Sequence, residues 1–208
     1  RVFILKLKVI AKKKKEIQKM KENSKKQIYR LTLSAVFIAL ATVLSTIKVY
    51  DPPLGGSVTL FSMIPIVMLS CMYGVKWGLV CSFVYGLGQM FLSFGEVCSW
   101  GLTALALVLT FVIDYVRAYF VLGFAGAFAI KGVIGMVLGT VVALVLRFLC
   151  HYTTGVFIFD IWLPEEWSNV WLYSLCYNGG YMLPEIVITT IGAAILFKLP
   201  AIKKIMKV

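Results

Sequence analysis

Acidic charge is scarce in this chain, and histidine is nearly missing. Nine Asp and Glu stand against 21 Lys and Arg, and His151 is the sole histidine. One histidine cannot build a metal site, and no Cys or carboxylate has ligand spacing to it. The five cysteines, Cys71, Cys81, Cys98, Cys150 and Cys176, are odd in number and contain no C-x-x-C pair. They read as small apolar helix residues, not as a disulfide frame or metal site. No G-x-x-x-x-G-K-[ST] occurs, and "GAFAIKG" does not match it, so the chain shows no ATP site. No G-x-S-x-G motif pairs a nucleophile with a base. Cys150 adjoins His151, but neighbours on a helix point in different directions. No cofactor is implied, and enzymatic function has no motif behind it.

What the chain has in excess is apolar surface. It is 61% hydrophobic, with a mean hydropathy of +0.92. Soluble domains average about 45–50% apolar. Long apolar runs with few charges mark a polytopic membrane protein. The 208 residues allow one domain and about six spans of roughly 20 residues each.

The net charge of +12 raises nucleic-acid binding, but its distribution argues against it. Residues 1–30 hold most of the excess Lys and Arg, all before the first apolar run. A basic segment beside a membrane is an orientation signal or touches anionic lipid. The start, "RVFILKLKVIAKKKK", has too short an apolar run to span, and lacks the order of a signal peptide. Because the chain does not begin with Met, part of this segment is read as added for expression. Residues 1–30 are thus expected to be a basic cytoplasmic segment, and 31–208 a membrane domain.

Six spans are expected: 31–49, about 58–73, about 77–92, about 103–128, about 133–151 and about 170–197. "YDPPLGGS" breaks the first from the second. Lys76, Lys131 and both tails then fall on one side; Asp51, Glu96, Asp160, Glu165 and Glu166 fall on the other. The positive-inside rule puts both termini in the cytoplasm. The expected fold is an all-α membrane protein of six transmembrane helices.

Polar residues inside a membrane are expensive and each needs a reason. Asp114 follows "TFVI" in the fourth span. It is either a buried partner of Arg117, one turn on, or a carboxylate facing a ligand cavity. His151 at a span end suits an interface residue or a site residue equally. Tyr173, Tyr177 and Tyr181 recur every four residues and form one helical stripe. That stripe is either an interfacial tyrosine belt or part of a binding face. A belt explains the neighbouring Asn178 poorly. Gly179 and Gly180 are expected to permit close backbone approach, and Pro184 to leave the carbonyl four residues earlier without its donor. Ala35 and Ala39, four apart, suit close helix packing, within the bundle or on another protein.

These pieces resemble a known family. "YSLCYNGGYMLPE", "HYTTGVFIF", the Asp114–Tyr115 pair followed by "LGFAG", and the alanine-rich first helix look like the thiamine-specific S components of energy-coupling factor (ECF) transporters. The resemblance covers residues 31–208. It implies the ECF S-component fold and capture of thiamine from outside. It implies partners too: a transmembrane coupling protein and two cytosolic ATPases that use the ATP. By that resemblance Ala35 and Ala39 would pack on the coupling protein. Asp114, Tyr115, His151, Tyr173 and Asn178 would contact thiamine. The protein would sit in a bacterial plasma membrane, against lipid, with no nucleic-acid partner.

Three departures stand out. The helix-four acid is Asp where the family typically has Glu. The first outer loop has no Trp. Eight residues after His151 stands Phe159 where the family can have Trp, and Trp162 lies three further on. The aromatic clamp would be rebuilt around Phe159 and Trp162. The alternatives are an S component for a hydroxymethylpyrimidine, a thiazole compound or riboflavin, an intramembrane enzyme using His151 with Asp114, and a transporter working alone.

Overall fold

The computed structural model describes residues 2–53 and 55–206, with side chains from Lys13 onward. Two compact units divide the chain, Arg1–Val36 and Phe37–Val208. Helix α1, Val2–Ser45, runs through the boundary. In the first unit, Glu22 pairs with Lys26 at 2.8 Å, one turn apart on an exposed helix face.

Among the described residues, the regular structure of the second unit is helical apart from one small hairpin. After α1 come strands β1, Lys48–Tyr50, and β2, Val58–Thr59, paired antiparallel. The sequence reading anticipated no strand: it ended the first span at residue 49, inside β1, and began the second at about Val58, on β2. Pro52, Pro53, Gly55 and Gly56 lie in the connection between the two strands, and Gly55 and Gly56 adopt φ of 84° and 83°, which only glycine takes freely. Helix α2, Ile64–Tyr73, opens on Pro65 and is buried continuously from Ile64 to Ser70. A helix apolar on every side belongs inside a bundle. Then follow α3, Val75–Leu92, and a short α4, Phe94–Cys98.

The next helical run changes pitch three times. It comprises α5, Ala104–Leu109, a π-helix over Thr110–Arg117, α6, Ala118–Phe120, and a 3-10 stretch over Val121–Lys131. Gly132, at φ 69°, turns it into α7, Gly132–Phe157. The two arms pack at backbone distance. A Cβ on Gly135 would strike the Phe128 carbonyl, and one on Gly139 the Ala125 carbonyl. A 3-10 turn, Asp160–Trp162, precedes α8, Val170–Lys198, and α9, Pro200–Met206. The side chain of Asn169 caps α8 by accepting from Trp171 and Leu172 N–H at 3.0 and 3.2 Å.

Among the described residues, four helical stretches are long and apolar enough to cross a membrane: Lys13–Ser45, Val75–Leu92, Ala104–Phe157 and Val170–Lys198. Ile64–Tyr73 is a shorter apolar helix. The core joins Ile66, Val67, Tyr85, Leu122, Met136, Leu144, Ala193 and Phe197. Outside it, Ile134, Leu183, Val187, Ile191 and Ile195 stand exposed on α7 and α8. Such an apolar face suits hydrocarbon, and helices satisfy their backbone groups internally there.

Candidate functional site

The π-helix carries Asp114 and Tyr115. Such segments are rare, and many mark functional sites because they break the regular spacing of side chains. Asp114 does not pair with Arg117. Its Oδ1 lies 2.7 Å from His151 Nδ1 and accepts from the Thr154 hydroxyl at 2.6 Å. His151 and Thr154 share one face of α7, so α7 presents both to the same carboxylate oxygen. Asp114 Oδ2 takes no hydrogen bond among the described residues.

One turn before His151 on α7, Arg147 is also buried, at 6% exposure. Its Nε donates to His151 Nε2 at 3.2 Å. Its guanidinium sits 3.9 Å from the centroid of the Tyr119 ring, where a cation is attracted to the aromatic face.

Two adjoining cavities meet at Asp114, Tyr115, Tyr181 and the Gly55–Gly56 backbone. The aromatic one is walled by Trp100, Phe159, Trp162, Tyr173 and Tyr177, with Asn178 alongside. The polar one is lined by Arg147, His151, Gln89, Glu96, Lys48 and Asp51. Phe159 and Trp162 stack in parallel, with centroids 5.2 Å apart and planes 5° apart. Trp100 stands edge-on to both, at 5.9 and 5.7 Å.

Helix α8 forms the opposite wall. Tyr173, Tyr177 and Tyr181 do make one stripe, with centroids 6.0 and 6.1 Å apart along it. The stripe faces the cavity. Tyr177 donates to the Gly55 carbonyl at 2.9 Å. Tyr181 donates to Asn178 Oδ1 at 2.7 Å, and Asn178 Nδ2 donates to the Ser174 carbonyl at 3.0 Å. Asn178 therefore lines the site with its amide already engaged along α8. The close helix approach is at Gly155, not at Gly179 or Gly180. A Cβ on Gly155 would overlap Ser174 Oγ and Asn178 Nδ2, whereas one on Gly180 would meet nothing within 4 Å. Gly180 is exposed on α8, which runs on as one helix through Pro184.

The profile of the thiamine transporter protein family matches residues 31–205. The chain belongs to that family. It is 32% identical over 189 residues to the thiamine transporter ThiT of Bacillus subtilis (strain 168), covering 84% of this chain and 93% of that one. A solved structure of ThiT from Listeria monocytogenes superposes with a TM-score of 0.70 at 23% identity, covering 85% of this chain and 98% of that one. That last likeness is one of fold.

The family is one of membrane transporters, not enzymes. In this member, all seven residues singled out for ligand contact lie around the two cavities: Asp114, Tyr115, His151, Phe159, Trp162, Tyr173 and Asn178. Ala35 and Ala39 are exposed on α1. Sequence reasoning missed Trp100 and Arg147. An arginine within an apolar span is a signal by itself, and "RFLCH" placed Arg147 one turn from His151. Trp100 had a weaker signal, since it sits in a loop between spans.

Among the described residues no group of three or more His, Cys, Asp and Glu could hold a metal ion.

Proposed function

We propose that this protein captures thiamine from the outer side of a bacterial plasma membrane, as the S component of an ECF importer. The carrying observation is Asp114: one carboxylate oxygen is saturated by His151 and Thr154, and Asp114 faces an aromatic-walled cavity. Thiamine joins an aminopyrimidine to a cationic thiazolium. The second oxygen of Asp114 suits the amino group or offsets the cation. The faces of Trp162, Phe159 and Tyr173 suit the cation, at about 0.5–2 kcal/mol per contact. Family membership and the relative named for thiamine support the same ligand.

In this reading the six apolar segments span the membrane and both termini are cytoplasmic, which the basic tails and turns support. Residues 31–208 form the binding domain and residues 1–30 lie against the inner leaflet. With no ATP motif in the chain, transport draws on two cytosolic ATPases through a membrane coupling protein. Ala35 and Ala39 contact that protein.

Native mass spectrometry and calorimetry on the purified protein test the ligand, against a panel of thiamine, hydroxymethylpyrimidine, a thiazole alcohol and riboflavin. Preference for any compound other than thiamine would overturn the assignment. Uptake by vesicles lacking the ATPases would overturn the ECF reading.

A further inference from the structure

Glu185 is a carboxylate with 0% exposure, deep in α8 and outside both cavities. A charge-bearing group there needs partners. One of them, Thr59 in β2, lies 126 positions away. Oε2 accepts from the Thr59 backbone N–H at 2.6 Å, and Oε1 from the Thr59 hydroxyl at 3.2 Å. Thr189, one turn on, donates to Oε1 at 3.1 Å. The Thr59 hydroxyl also meets Ser62 Oγ at 2.6 Å.

Two further contacts tie the same segment to α8. Tyr177 holds the Gly55 carbonyl, and a Cβ on Gly192 would press into the Phe61 ring. Phe61 adopts φ 63°. A bulky residue persists in that left-handed conformation only where its surroundings over-determine it. The contacts come from Tyr177, Glu185 and Gly192, and Tyr181 lies between the first two against Gly56. Tyr173, Tyr177, Tyr181, Glu185 and Thr189 are spaced by four, so the tyrosine stripe continues as a polar anchor line.

We propose that Glu185 is a positioning residue for the ligand site. It holds residues 55–62 against α8, and so keeps the Gly55–Gly56 backbone in place as a wall of both cavities. The link to ligand rests on the thiamine reading; the anchoring does not.

The test has two arms on the purified protein in detergent. Hydrogen–deuterium exchange of the ligand-free protein reads the anchor. Tryptophan fluorescence reads thiamine association and dissociation. In E185A, exchange over residues 55–62 rises at least tenfold while α7 keeps its protection. Thiamine dissociation speeds at least tenfold and association changes less than threefold. E185Q keeps an amide oxygen for the Thr59 N–H and restores both toward wild type. If E185A cannot be purified, T59V removes the hydroxyl bonds alone and raises exchange over the same residues.

Unchanged exchange over 55–62 in E185A, or in T59V as its substitute, would overturn the anchor. A rise spread equally over the whole bundle would overturn it too, since that marks general loosening. Faster local exchange with unchanged dissociation would overturn the link to the ligand site. Failure of wild-type protein to bind thiamine would sink the ligand reading and leave the exchange arm decisive for Glu185.

Discussion

Arg147 Nε lies 3.2 Å from His151 Nε2, and a guanidinium can only donate. His151 must therefore accept on Nε2 and carry its proton on Nδ1, from which it donates to Asp114 Oδ1 at 2.7 Å. The histidine is the neutral link between a buried cation and a half-buried carboxylate. Geometry thus assigns the tautomer.

The first prediction concerns this line of charge. Arg147→Met leaves Asp114 without its balancing cation in a buried site. We predict a lower melting temperature for the ligand-free protein, with a larger thiamine-induced gain than wild type shows. An unchanged melting temperature would mean the charges do not depend on one another.

Asp114→Asn keeps an oxygen for His151 and Thr154 but turns the second atom into a donor. It then opposes a ligand amino group and offers no charge to a thiazolium. A charge-assisted hydrogen bond contributes about 1.5–3 kcal/mol. We predict at least about a tenfold loss of thiamine affinity by calorimetry, as follows from about 1.4 kcal/mol per decade. Wild-type affinity in this variant removes Asp114 from the site.

Gly155 and Gly180 separate packing from helix propensity. A Cβ on Gly155 would overlap Ser174 Oγ and Asn178 Nδ2. Overpacking there costs about 1–3 kcal/mol and pushes α8 away from α7. Gly155→Ala should lower both thermal stability and thiamine affinity. Gly180→Ala meets nothing within 4 Å and should be neutral or stabilising, by up to about 1 kcal/mol. Thermal melts of both proteins decide the matter; equal losses would contradict the geometry.

Trp100 completes the aromatic wall from the loop before α5. Trp100→Ala removes one face from that wall and should weaken thiamine binding by roughly two- to thirtyfold, as about 0.5–2 kcal/mol per cation contact implies. Trp100→Phe should recover part of the loss. Titration by calorimetry measures both variants.

Ala39 is exposed on α1. Ala39→Trp should leave thiamine binding within about twofold, because Ala39 lines neither cavity. It should abolish thiamine uptake in cells that supply the coupling partners, since a bulky ring prevents close helix packing. Uptake of labelled thiamine checks this, and normal uptake would move the partner surface elsewhere.

Much of the site was visible as local chemistry. Asp114, His151 and Asn178 are polar groups in apolar runs, and the cost of placing them there points to function without any structure. Tyr173, Tyr177 and Tyr181 were legible as one stripe because helical spacing alone puts them together. Arg147 carried the same kind of signal and was overlooked. Which way the stripe faces, toward lipid or inward, depends on how α8 packs, and periodicity is the same in both cases.

The apolar runs and the basic tails belong to the sequence alone, because burial cost and charge act residue by residue. They determined that this is a helical membrane protein. Tertiary structure decided the rest. It paired Asp114 with His151 instead of Arg117, because a π-helix altered the spacing that an α-helical reading assumed. It brought Trp100 to Phe159 and Trp162. It also explained Glu185, whose partner Thr59 lies 126 residues away. A hydrogen bond across that separation leaves no periodic trace in the chain. It exists only because β2 folds back against α8.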